Sequence, residues 1–167
     1  MIDCRMISFI KNISFRQDCI ISQPRPFPTV SKEAPMPSAD LCTEDEIVQL
    51  VYGFYDRVHK DEVLGPVFNR HVKNWDTHSP KMVDFWSSAL RGTARFRGAP
   101  MPKHAALPGL TIDLFQRWLL LFGQTADALP NAALAERAKD LAKRIAQSLW
   151  YGYRMKQGKR LPTGEPV

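Results

Sequence analysis

Three groups of side chains in this sequence have the types and spacing to do chemistry. His104 lies in Pro102-Lys103-His104-Ala105-Ala106-Leu107, at the edge of an irregular stretch. A neutral imidazole on a short element can offer one nitrogen to a metal such as iron while the other donates to a backbone carbonyl, which fixes the tautomer. The same residue also reads as an ordinary surface histidine on a loop. His78 and Met82 stand one helical turn apart, with Phe85 and Trp86 a turn further on. Such a stripe suits an element whose first turn lines a pocket mouth and whose body lines its wall; it equally suits an exposed residue above a plain core stripe. Tyr55 and Trp118 are amphipathic aromatics on the apolar faces of two different helices, and each needs an acceptor for its O–H or N–H when buried. Aimed at one point, the two donors would make a polar spot for a small anion or a polarised diatomic ligand. Each satisfying a backbone carbonyl is the plainer alternative.

The elements that must position these groups are helical. Thr43-Glu44-Asp45-Glu46 is a capping box, and Ile47, Leu50, Val51, Phe54, Tyr55 and Val58 follow at spacings of three and four, predicting a helix that ends near His59. Asp61 to Phe68 reads as a tight corner at Gly65-Pro66 and then a short turn. A further helix begins near Asp76-Thr77, with Pro80 expected in its first turn and Gly92 at its end. Its inner face is His78, Met82, Phe85, Trp86, Ala89 and Leu90. Residues 92–109 hold three glycines and three prolines, leaving room for one short helical turn around Lys103–Leu107. Two strong helices close the chain, from Thr111 to about Ala126 and from Ala132 to about Tyr153. The class is all-α, with four substantial helices. A plain bundle would join its second and third long helices by a short loop, and an irregular segment of this length usually carries function.

The chain has 167 residues, 44% hydrophobic and 24% charged, enough for one domain of ordinary composition with room to enclose a small cofactor. No run approaches the roughly 18 apolar residues of a membrane helix. Cys4, Cys19 and Cys42 are odd in number and widely spaced, which excludes a disulfide scaffold. The net charge of +6 is spread: residues 1–39 hold five basic and three acidic side chains, residues 40–167 hold 18 and 14. The cluster Arg154, Lys156, Lys159 and Arg160 is too small for a nucleic-acid footprint and reads as a solvated helix end. Prolines 24, 26, 28, 35 and 37 make residues 1–39 an extended, mobile lead, in which Met6–Ile10 has some strand character. Charged residues interrupt any secretory signal pattern there, so the cytoplasm is the expected location. Met36 offers an alternative start. The domain is expected over 40–157, with a tail over 158–167. Motifs for nucleotide binding, phosphoryl transfer and hydrolysis are absent, as are the Glu-x-x-His repeats of a di-iron bundle.

Taken in order, Phe54-Tyr55, Asp61, Leu64-Gly65-Pro66-Val67-Phe68, Trp75-Asp76-Thr77-His78, Phe85-Trp86-Ser87, Phe96-Arg97-Gly98-Ala99-Pro100-Met101 leading to His104, and Phe115-Gln116-Arg117-Trp118-Leu119-Leu120-Leu121-Phe122 resemble the truncated haemoglobins, specifically their third group. The resemblance covers about residues 43–155. It implies a two-over-two helical sandwich enclosing a b-type haem, its proximal helix reduced to about a turn. The Gly-Gly signatures of other truncated groups are missing, as this group implies, and the 39-residue lead departs from the family.

By that resemblance His104 is the proximal ligand of the haem iron, and Tyr55 and Trp118 donate to the bound ligand. His78 is the distal histidine near the pocket mouth, placed to act as a gate. Met82 replaces a branched aliphatic of the distal wall, and its pliable thioether would alter pocket volume. Phe54, Phe68, Phe85, Trp86 and Phe96 pack the porphyrin or the wall behind it, as do Met101, Leu107 and Phe115. The implied function is binding of O2, NO and CO at ferrous iron. Donors around bound O2 slow its release, which favours oxidation of nitric oxide to nitrate, with a reductase restoring ferrous iron. Peroxidase-like chemistry with His78 as acid–base group is one alternative, and a reversible oxygen carrier, store or sensor is the other. The apolar faces are accounted for by the fold and the haem, which leaves the oligomeric state open.

Overall fold

The computed structural model describes residues 36–159; the lead up to residue 35, including Met6–Ile10, Cys4 and Cys19, and the tail from Arg160 lie outside the described residues. Within them the protein is all-helical: α1 Glu44–Lys60, α2 Leu64–His71, α3 Trp75–Arg91, α4 Pro100–Ala105, α5 Ile112–Asp127 and α6 Ala132–Lys156, preceded by a 3-10 turn at Ala39–Leu41. None of these helices is long and apolar enough to cross a membrane. The long helices form two packed pairs, α1 on α3 and α5 on α6, joined where α1 crosses α5.

Local chemistry accounts for each helix. The Thr43 N–H donates to Glu46 Oε2 at 2.7 Å and the Glu46 N–H returns to Thr43 Oγ1 at 3.2 Å, closing the capping box that starts α1. Its apolar stripe then sinks into the core, with Ile47, Leu50, Val51 and Val58 almost fully buried, each such side chain stabilising by about 1.5–3 kcal/mol relative to exposure. Asn131 Oδ1 accepts the Leu134 N–H at 3.0 Å and starts α6. Gly92, in the left-handed region at φ 76°, ends α3.

Three expectations shift. Asn74 caps α3 through the Thr77 N–H, so the helix opens at Trp75 and Pro80 falls in its second turn, not its first. The corner after α1 is a helix of eight residues, because Asp61 Oδ1 accepts the N–H groups of Val63 and Leu64 and organises its first turn. The short proximal helix starts at Pro100, earlier than the expected Lys103; Pro100 and Pro102 occupy positions where no intrahelical N–H is required. The lead is also tied down at its end, where the Ser38 N–H donates to the Leu90 carbonyl at 3.0 Å.

The apolar interior divides in two. A large cluster joins α1, α3, α5 and the first half of α6, and includes Phe54, Tyr55, Trp86 and Phe122. A smaller one, Phe115, Ala146, Leu149, Trp150 and Tyr153, lies under α4, and Leu119 and Ile145 touch both.

Candidate haem site

His104 is the fifth residue of α4, and its Nδ1 lies 2.8 Å from the Pro100 carbonyl oxygen four residues back. A carbonyl only accepts, so in the neutral ring Nδ1 carries the proton and Nε2 holds the lone pair. That is the arrangement a metal-binding imidazole needs. What holds α4 is α6: a Cβ built at Gly152 would overlap Met101 Sδ, so the bare backbone there is a notch for the thioether. Met101 therefore belongs to the smaller cluster.

The opposite wall is built from α1 and α3. The Tyr55 hydroxyl and His78 Nε2 are 3.0 Å apart, although 23 residues separate them in the chain. Burial pushes the Tyr55 phenol up, so it stays protonated. His78 is pushed below the usual imidazole range, first by burial and then by the charges of His104 and Lys81. Tyr55 also meets Trp75 and Phe68 edge-on at 5.3 and 6.1 Å. On α5, Trp118 stacks on Phe122 at 5.2 Å and 11°, with Phe54 edge-on at 5.4 Å. Its indole N–H has no hydrogen-bond acceptor among the described residues. The plainer alternative, Tyr55 and Trp118 each bonded to a backbone carbonyl, is not what the structure shows.

Phe68, His78, Met82, Phe85, Phe96, His104, Leu107 and Trp118 are all only half-buried, although most are large and apolar. Phe54, Tyr55, Trp86 and Phe115 are buried behind them. Partly open apolar side chains together with two half-buried imidazoles fit a flat apolar metallocycle.

Two supports escaped the sequence. Asp61 Oδ2 accepts from Arg117 Nε and Nη2 at 2.9 and 2.5 Å, tying the α1–α2 corner to the residue before Trp118. That bond holds the Asp61 carboxyl below its ordinary range. Glu44, read from sequence only as helix-end charge, accepts from Ser87 Oγ at 2.8 Å, from Arg91 and from Arg95 Nη2 at 2.6 Å. Arg95 Nε adds Asp84 at 3.0 Å, and Ser88 Oγ accepts the Phe96 N–H at 2.9 Å. This network anchors the segment leading to α4, including Ala94 at φ 56°. An acid just past the end of α1 and two arginines on either side of Gly92 were the available signals, but neither names its partner.

Two packed helix pairs, with His78 on α3 and His104 on a short helix held against α6, are the architecture of a globin. The bacterial-like globin family model matches residues 40–150. The group 3 truncated hemoglobin ctb of Campylobacter jejuni subsp. jejuni serotype O:2 is 32% identical over 121 residues, covering 68% of this chain and 95% of its own. The crystal structure of group III truncated hemoglobin from Campylobacter jejuni superposes with a TM-score of 0.63 at 27% identity, over 74% of this chain and 96% of that one. The chain belongs to the bacterial-like globin family, in its group III truncated haemoglobin branch. As a globin it is a haem-containing protein that binds small diatomic ligands.

Proposed function

We propose that His104 Nε2 would hold the iron of a b-type haem, and that Tyr55, His78 and Trp118 form a distal polar group that would retain O2 and favour oxidation of nitric oxide to nitrate. The observation carrying this reading is the His104 Nδ1 held by the Pro100 carbonyl, which leaves Nε2 for a metal; the Tyr55–His78 pair supports the polar group. When bound, the haem supplies an iron that takes a diatomic ligand at its open position.

The protein's own residues set what happens around that ligand. A neutral His78 donates from Nε2–H to the Tyr55 oxygen, which frees the phenolic O–H to donate to the ligand. The indole N–H of Trp118 is a second donor with no competing acceptor among the described residues. Both act in an apolar surround, where hydrogen bonds to developing negative charge are strong. Retention of O2 suits a reaction in which one nitric oxide, one O2 and one electron give nitrate. The electron calls for a reductase. The Pro100 carbonyl is a neutral partner for His104, so the imidazole lacks the basicity a carboxylate would lend it, and this weakens the peroxidase-like alternative.

Haemin titration of wild type and His104→Gly, followed by stopped-flow mixing of the oxygenated protein with nitric oxide, tests the proposal. Stoichiometric haem uptake altered in His104→Gly, with rapid nitrate formation in wild type, is expected. Unchanged ferrous and CO spectra in His104→Gly would sink the ligand assignment, and slow nitric oxide consumption would sink the reaction.

A further inference from the structure

Behind Tyr55, on the outer side of the α1–α3 pair, lies a second cavity of 280 Å³, lined by Tyr52, Tyr55, Asp56, His59, Trp75, Asp76 and Ser79. That volume is just under the range of sites for small organic ligands. The haem reading uses Tyr55 from this lining but gives no role to Tyr52, Asp56, His59 or Ser79.

Its lining has three features that a plain surface dent lacks. Ser79 is only 7% exposed, yet its hydroxyl has no hydrogen-bond partner among the described residues. Its Oγ is open to the cavity and, without a protein partner, is free to bond a polar ligand atom or water there. Exposed aromatic surface is present: Tyr52 is 49% exposed at the cavity, whereas Trp75 is half-buried and packed by His59 at 4.2 Å and by Tyr55, Phe68 and His78. Finally, the charge is acidic. Asp56 is paired with Lys60 at 2.7 Å, whereas Asp76 has no ion-pair partner among the described residues. The positive end of α3, which starts at Trp75, and the negative end of α1, which finishes at Lys60, offset one another here. The sign of the site is left to the side chains.

We infer that this cavity binds a small organic ammonium ion. Its N–H donors would meet the Asp76 carboxylate and Ser79 Oγ, and its carbon body would lie on the exposed ring of Tyr52, where a cation gains from the aromatic face. An anion would face Asp76, and a neutral apolar molecule would leave Ser79 unsatisfied.

Calorimetric titration of the haem-loaded, CO-saturated ferrous protein with benzylamine at neutral pH tests this, because CO keeps the amine off the iron. Benzyl alcohol is the neutral isostere. Saturable amine binding is expected, with the alcohol at least roughly tenfold weaker, a ratio suited to loss of one charge-assisted hydrogen bond. Asp76→Asn should weaken the amine by a similar factor while keeping the far-UV spectrum and melting point, since Asp76 is exposed. Tyr52→Ala should weaken amine and alcohol alike. No saturation below about 10 mM, equal affinity for amine and alcohol, or an Asp76→Asn protein that binds as wild type does would each overturn the proposal.

Discussion

Asp61 is where the architecture of the distal side can be tested most directly. It is 8% exposed, and one carboxylate serves two helices: Oδ1 accepts the amides of Val63 and Leu64 at 3.1 and 2.8 Å, and Oδ2 holds Arg117. Asp61→Ala removes all four bonds. The Leu64 amide is buried, so losing its acceptor costs about 1–3 kcal/mol, and the Val63 amide, partly reachable by water, costs less. Arg117 is 43% exposed on its side chain, so its contact is screened and the amides dominate. The expected loss is about 2–3 kcal/mol. Asp61→Asn keeps an oxygen for both amides and should lose less than half as much. Urea unfolding of each variant at equal haem occupancy, followed by far-UV circular dichroism, gives the numbers. The pH dependence supplies an internal check. The folded carboxyl titrates below its unfolded value, so its contribution is fully present above about pH 3.9 and fades as pH falls through the folded value. The gap between wild type and Asp61→Asn should therefore close on acidification. If Asp61→Ala stays within about 0.5 kcal/mol of wild type, or the Asn and Ala variants lose equal stability, Asp61 does not organise the corner as argued.

Other consequences follow from single contacts. Tyr55→Phe removes the hydroxyl bonded to His78; flash photolysis and stopped-flow should show O2 release faster by roughly one to two orders of magnitude, and an unchanged rate would remove Tyr55 from the distal donors. Gly152→Ala drives a methyl into Met101 Sδ and should cost about 1–3 kcal/mol by thermal unfolding, with Met101→Ala in the same chain recovering most of it. Failure of that recovery would mean the notch is not what fits α4 to α6. Ala94→Gly relieves a left-handed backbone at φ 56° and should leave stability level or raise it by up to about 1 kcal/mol, because the relief outweighs the added freedom of the unfolded chain. His78 is held below its unfolded pKa, so the stability it contributes is present above about pH 6.5 and lost as pH falls through the lower folded value. Replacing it with Gln should flatten that part of the stability–pH curve measured by urea titration.

The helices were legible because what starts and stops them is local. Thr43 and Glu46, Asn131, and Gly92 act on residues three or four positions away, and the apolar stripes of α1, α5 and α6 repeat at the helical period. The backbone partner of His104 was legible for the same reason, since the carbonyl is one turn back at Pro100. Errors came where a cap was overlooked: Asn74 moved the start of α3 and so the place of Pro80, and Asp61 made a helix of an expected turn. Only the tertiary structure decided that Tyr55 meets His78, that Asp61 meets Arg117 across 56 residues, that Glu44 gathers Arg91 and Arg95, and that Gly152 receives Met101. Each of these depends on the rotation of one helix about its axis and its crossing with another. Periodicity identifies the face a helix buries, but not the residue that the face will meet.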